Sequence, residues 1–138
     1  MRVSAKSKTE LYVHLVWATF RREPRITPQV EQCATRAIAE KCLELRCPAQ
    51  AIGGMPDHVH LLSRLSPSVS VARLAAEVKG FSSYFVTEKL GAELTWQRGY
   101  AAFSISADDV EAVAGYDTDQ RRHHAAQALQ PFFELADD

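Results

Sequence analysis

Residues 10–20 (ELYVHLVWATF) are rich in β-branched and aromatic side chains, which predicts a mostly buried strand. The charged stretch Arg21 to Arg25 breaks it. Thr27-Pro28 then offers an N-cap hydroxyl followed by proline at the first helical position. Val30, Ala34, Ala37, Ile38 and Leu45 recur at helical spacing behind that start, and Pro48 ends the run. Ala49 to Gly54 and His58 to Leu65 read as two short strands around the turn Gly54-Met55-Pro56-Asp57. Ser68 or Ser70 caps a second helix whose apolar stripe is Val71, Leu74, Ala75, Val78, Phe81 and Phe85, and Gly91 suits its end. Tyr100 to Ile105 read as a fourth strand. Ser106-Ala-Asp-Asp109 fits the S-x-x-[DE] capping pattern and opens a last helix through about Leu129. The order β-α-β-β-α-β plus one helix predicts an α+β, ferredoxin-like sandwich with an additional C-terminal helix.

Composition narrows the class without naming a function. Residues 1–138 read as one domain, with no repeat, linker or low-complexity tract. Apolar residues make up 46% and charged ones 24%, the balance of a folded domain rather than a disordered chain. The longest apolar run, Leu15 to Phe20, is too short to span a bilayer, and Met1 to Glu10 lack the apolar stretch of a signal peptide. Cys33, Cys42 and Cys47 are odd in number and lack C-x-x-C spacing, which argues against a disulfide framework or thiolate zinc site and for a cytoplasmic setting. A net charge of −1 does not announce a nucleic-acid binder. Its distribution changes that picture. Residues 1–46 hold nine Lys/Arg against five Asp/Glu, so an electropositive face can be built from the N-terminal third.

Two places could carry chemistry. In His58-Val59-His60, alternate residues of a strand share a face, so the imidazoles sit side by side on an exposed face while Val59 and Leu61 point into the core. Neighbouring imidazoles are half of a metal site. On the last helix, Tyr116 and Gln120 are spaced i, i+4 and share one face. Gln120 offers an amide oxygen as third ligand, and Tyr116 a phenol that a metal or base can turn into a covalent nucleophile. Alone, each feature also has an ordinary reading: solvated histidines at a turn, a packing tyrosine and a surface glutamine. His123 and His124 compete with Gln120 as third ligand, or belong with Arg121 and Arg122 to a cationic helix end. His14, mid-strand, reads as a hydrogen-bonded core histidine.

In combination the motifs are specific. Pro56-Asp57-His58-Val59-His60-Leu61-Leu62, then Trp96-Gln97-Arg98-Gly99-Tyr100, Phe103-Ser104-Ile105-Ser106 and Tyr116-x-x-x-Gln120-x-x-His123-His124 follow in order. Together with Tyr12-Val13-His14-Leu15-Val16-Trp17, the chain resembles the single-tyrosine HUH transposases of the insertion-sequence 200/605 group over about residues 10 to 130. The resemblance implies an enzyme that cuts and rejoins single-stranded DNA with hairpin ends. It implies a divalent metal, Mg²⁺ or Mn²⁺, on His58, His60 and Gln120, and a 5′-phosphotyrosine formed by Tyr116. It further implies a homodimer joined at the sheet edges, with the tyrosine helix supplied by the partner. Arg21, Arg22, Arg25, Lys79 and Arg98 are the candidate DNA contacts, and Trp96 or Tyr100 could stack on a base. Gly115, Asp117 and Asp119 flank the tyrosine where the family pattern differs, which leaves a second reading: a domesticated hairpin- or repeat-binding protein that does not cut. A third is a ferredoxin-like metal-binding dimer with a small-molecule role.

Overall fold

The computed structural model describes residues 7–119. Strand β1 spans Tyr12–Ala18, helix α1 Pro28–Glu44, β2 Ala49–Met55, β3 His58–Arg64, α2 Val71–Leu90, β4 Ala101–Ile105 and α3 Val110–Asp119. The four strands form one antiparallel sheet in the order β2-β3-β1-β4. This is the expected split β-α-β arrangement, an α+β fold with two helices on one face. No helix among the described residues is long and apolar enough to cross a membrane.

Local chemistry sets the element ends. The Thr27 hydroxyl accepts from the Val30 amide at 3.2 Å, with Pro28 first in α1. Ser70, not Ser68, caps α2 by accepting from the Arg73 amide at 3.0 Å. Gly91 closes α2 at φ 65°, a left-handed position in which a side chain would be strained. The hairpin between β2 and β3 is tighter than expected: the strand continues through Met55, and Pro56–Asp57 alone turn the chain. The pattern at Ser106 is not a capping box. Its hydroxyl donates to the Asp109 carboxylate at 3.0 Å and caps no backbone amide, and a short 3₁₀ turn, Ala107–Asp109, precedes α3. The predicted stretch of that helix beyond residue 119 lies outside the described residues.

Alternate residues of the strands build two different faces. Val13, Leu15, Trp17, Val59 and Leu61 pack with Val30, Ala34 and Ile38 of α1 and Leu74, Ala75, Val78 and Val86 of α2 in one apolar core. Phe81 and Phe85, expected in the α2 stripe, sit half-buried at its margin with ring centroids 5.6 Å apart. Lys41 and Lys89 lie over them, and Ser82 takes the buried position instead. The opposite face carries His14, Val16, Ala18, His58, His60 and Leu62. Helix α3 packs against β2 and β3. Since α1 and α2 hold the first face, α3 covers the second, and His58 to Ser63 are all buried.

Candidate functional site

His58 and His60 share the α3-covered face, with ring centroids 5.0 Å apart. Their side-by-side placement follows from the period of the strand. Their expected exposure is corrected: His58 is fully buried and His60 is 3% exposed. The period of one strand says which side chains share a face. It does not say that a helix formed some fifty residues later will cover that face.

Each imidazole has a partner at Nδ1. His58 Nδ1 donates to Asp57 Oδ1 at 2.8 Å. A carboxylate only accepts, so this bond puts the proton on Nδ1 and the lone pair of a neutral ring on Nε2. His60 Nδ1 lies 3.3 Å from Nε2 of His14, and these two rings stack at 5.4 Å. His14 is thus a buried, hydrogen-bonded histidine, as its place in the strand suggested. Burial, and after it the charges of His58 and His14, pushes the His60 pKa down to about 3. His60 is neutral at physiological pH, the form in which an imidazole ligates a metal.

Asp57 is the residue that sequence reasoning passed over. Its other oxygen, Oδ2, accepts from Arg22 Nε at 3.1 Å and Nη2 at 2.9 Å. Partial burial opposes the charge on Asp57, but His58 and Arg22 outweigh it and hold the carboxyl below its ordinary value. Arg22 and its neighbour Arg21 both adopt left-handed backbone, at φ 54° and 55°. Such positions cost non-glycine residues on the order of 1 kcal/mol each and persist only where the surroundings enforce them. Here the Arg22 amide donates to Thr19 O at 2.8 Å, and the Arg21 amide donates to Gln97 Oε1 at 2.9 Å.

The remaining candidates separate. Arg21, Arg25 and Arg98 are exposed, and Arg25 pairs with Glu23 at 3.0 Å. Lys79 is half-buried, and its ammonium donates to the carbonyls of Gln97 and Gly99, both at 2.8 Å. Burial holds its pKa below the usual lysine value. Two of its three donors therefore fasten the segment ahead of β4. Gly80 beside it permits no close approach within the chain, since an added Cβ would meet open space. Trp96 is half-buried, donates to Lys79 O at 3.0 Å and packs edge-on against Trp17. Tyr100 is half-buried against the core.

Tyr116 falls within α3, whose backbone rests on the histidine-bearing half of this chain's own sheet. Gln120, His123 and His124 lie outside the described residues. Among the described residues no cluster of three or more His, Cys, Asp or Glu could hold a metal ion. The donor set that is present fits a divalent cation. It supplies two buried imidazoles, one of them hydrogen-bonded at Nδ1 to a carboxylate, as in carboxylate–histidine–metal arrangements.

This sheet, with paired histidines under α3, defines an α+β protein with helices on both faces and a candidate metal centre. The model of the family described as "Transposase IS200 like" matches residues 7–120, and the chain belongs to that family. Solved structures agree on the fold. A protein from Deinococcus radiodurans R1, described as a transposase, superposes with a TM-score of 0.68 at 20% identity, covering 80% of this chain and 91% of that one. A REP-associated tyrosine transposase bound to a REP hairpin gives a TM-score of 0.56 at 20% identity, covering 80% of this chain and 66% of the other. No curated protein matches by sequence.

Proposed function

We propose that this protein cuts and rejoins single-stranded DNA with hairpin ends, using Tyr116 as nucleophile and a divalent metal, Mg²⁺ or Mn²⁺, held by His58, His60 and Gln120. The observation that carries the reading is the buried His58–His60 pair beneath the helix that bears Tyr116. The family match and the hairpin-bound relative support the substrate class.

His58 and His60 would hold the metal through ring nitrogens. When bound, the metal polarises the scissile phosphate and offsets charge on its oxygens. The Tyr116 oxygen attacks phosphorus, the bond to the 3′-oxygen breaks, and that oxygen leaves as a hydroxyl after taking up a proton. The phenol's own proton goes to solvent or a nearby base. The tyrosine phosphodiester keeps the energy of the broken bond, so a second 3′-hydroxyl can displace the tyrosine and rejoin the strand. Exposed Arg21, Arg25 and Arg98 offer charge to the DNA backbone. Arg22 and Lys79, also candidates for that contact, act first on Asp57 and on the segment before β4. The chain dimerises along β4, an edge strand of the sheet among the described residues. The packing of α3 on its own β2 and β3 supports a site completed within one chain, rather than by the exchange of helices that the resemblance implies.

The test is incubation with labelled single-stranded hairpin DNA and Mn²⁺. The expected result is an SDS-resistant protein–DNA adduct that Tyr116→Phe abolishes while hairpin binding persists. An adduct on Tyr116→Phe overturns the assignment. Mixing Tyr116→Phe with His58→Ala protein tests the single-chain site: no activity returns if each chain completes its own, whereas recovery means exchange between protomers. The second reading, a hairpin-binding protein that does not cut, is favoured by Asp117 and Asp119 beside the tyrosine, since added carboxylates repel a phosphate. It requires binding that survives chelator, with no nicking in Mn²⁺.

A further inference from the structure

The hydrogen bonds around the turn before β3 form a directed chain. Arg22 grips Oδ2 of Asp57 through Nε and Nη2, and Oδ1 of the same carboxylate takes the Nδ1 proton of the fully buried His58. The turn is clasped from behind. The Thr19 amide donates to Asp57 O at 2.9 Å, and the Ile26 amide donates to Pro56 O at 3.0 Å. The segment that presents Arg22 is held in left-handed backbone at two successive residues. The geometry points to Arg22 and Asp57 as positioning residues that fix the Nδ1–H tautomer and ring orientation of His58, so that Nε2 is the nitrogen presented to a divalent cation.

Each member has its own physical task. The carboxylate fixes the tautomer, because only a protonated Nδ1 can bond to it, and it makes Nε2 a stronger donor. Arginine, with its planar fork, does what a lysine point charge would do less well: it occupies Oδ2 and keeps the carboxylate from turning to become a competing ligand. The side chains of Arg22 and Asp57 are only 18% and 26% exposed, so solvent weakens the pairing less than at a surface ion pair. The left-handed backbone at Arg21 and Arg22 finds its use here, since it delivers the guanidinium to a turn thirty-five residues further along the chain.

This inference rests on the reading of His58 as a metal ligand, and the experiment separates the two. Nitrogen-15 NMR of the imidazole nitrogens in metal-free protein reads the tautomer of His58 directly. Calorimetry with Mn²⁺ alone reads the cation, and thermal unfolding checks that each variant is folded. Wild type is expected to show one tautomer, protonated at Nδ1. Asp57→Ala mixes the tautomers and weakens Mn²⁺ binding about 10- to 100-fold, the usual consequence of losing such a partner. Asp57→Asn keeps an acceptor oxygen and restores the tautomer. Arg22→Lys keeps the tautomer but weakens Mn²⁺ binding by several-fold, because the fork is gone. His58 unchanged in tautomer in both Asp57→Ala and Arg22→Ala, with Mn²⁺ affinity intact, overturns the relay. A wild-type protein with the locked tautomer and no Mn²⁺ binding overturns the metal reading while leaving the orientation by Arg22 and Asp57 in place. Should Asp57→Ala not fold, Asp57→Asn and Arg22→Lys carry the test through Mn²⁺ affinity: weaker binding in Arg22→Lys with the tautomer kept supports the relay, and unchanged affinity in both variants overturns it.

Discussion

One sheet presents two faces built from alternate residues of the same strands. Towards α1 and α2 stand Leu15, Trp17, Val59 and Leu61, in a core without ionisable partners on those strands. Towards α3 stand His14, His58 and His60, equally buried but joined by hydrogen bonds. Burial alone therefore does not distinguish the faces; the way each face satisfies its buried atoms does. An apolar face gains from dispersion and water release. Buried imidazoles carry a desolvation cost, which makes this cluster a candidate functional site.

The sharpest break in that comparison comes from neighbours in β3. Leu61→Ala should lower stability by about 2–5 kcal/mol, as expected for a fully buried leucine. His60→Gln should cost less than Leu61→Ala in denaturant titrations yet reduce Mn²⁺-dependent cleavage by at least about 10³-fold. Equal stability losses with intact cleavage would show that the histidine face is simply more core.

Acidification offers the next largest contrast. His60 has a folded pKa of about 3 against an ordinary 6.5, so below the latter value the unfolded chain takes up a proton that the fold refuses. Stability should then fall as pH drops from about 6.5 towards 3, by about 2 kcal/mol at pH 5 for this group. In chelator, His60→Gln should flatten that slope, whereas Leu61→Ala should shift the curve down without changing its shape. A wild-type slope that persists in His60→Gln would place the acid sensitivity elsewhere.

How much of this was legible in the sequence depends on how local each cause is. Thr27-Pro28, Ser70 and Gly91 act on amides within a few residues, so their roles could be read directly. The pairing of His58 with His60 followed from strand period alone. The burial of that pair did not, because it comes from α3, on the far side of β4 in the chain. Asp57 stood in the quoted motif, but its carboxylate acquires a role only when Arg22 arrives from another element. Lys79 read as a candidate DNA contact for the same reason, since its carbonyl partners at Gln97 and Gly99 lie beyond the end of α2. Ser106 failed differently: a local motif was present, but Asp109 captured the hydroxyl side chain to side chain.

The basic residues supply a third, smaller contrast. Lys79→Met should destabilise by about 1.5–3 kcal/mol, because two carbonyls lose a charged donor. Arg98→Ala, at an exposed position, should change stability by less than about 0.5 kcal/mol but reduce the salt slope of hairpin binding by about one. Reversed outcomes would make Lys79 the DNA contact and Arg98 the structural residue.

The smallest effect probes how dry the helix-side core is. Cys42 and Cys47 are buried there, whereas Cys33 on α1 is half-exposed. Burial, and then the neighbouring Cys47, pushes the Cys42 pKa up to about 12 despite a hydrogen bond with Ser63. The thiolate is the reactive form, so at pH 8 Cys42 holds almost none of it and lies out of reach as well. Mass spectrometry after brief iodoacetamide treatment should find Cys33 modified first, with Cys42 and Cys47 unreacted until the protein unfolds. Because Leu61→Ala loosens this side of the sheet, it should expose Cys42 and Cys47 sooner, while His60→Gln should leave them protected. Equal exposure in both variants would mean that the two faces open together and that the sheet does not insulate one from the other.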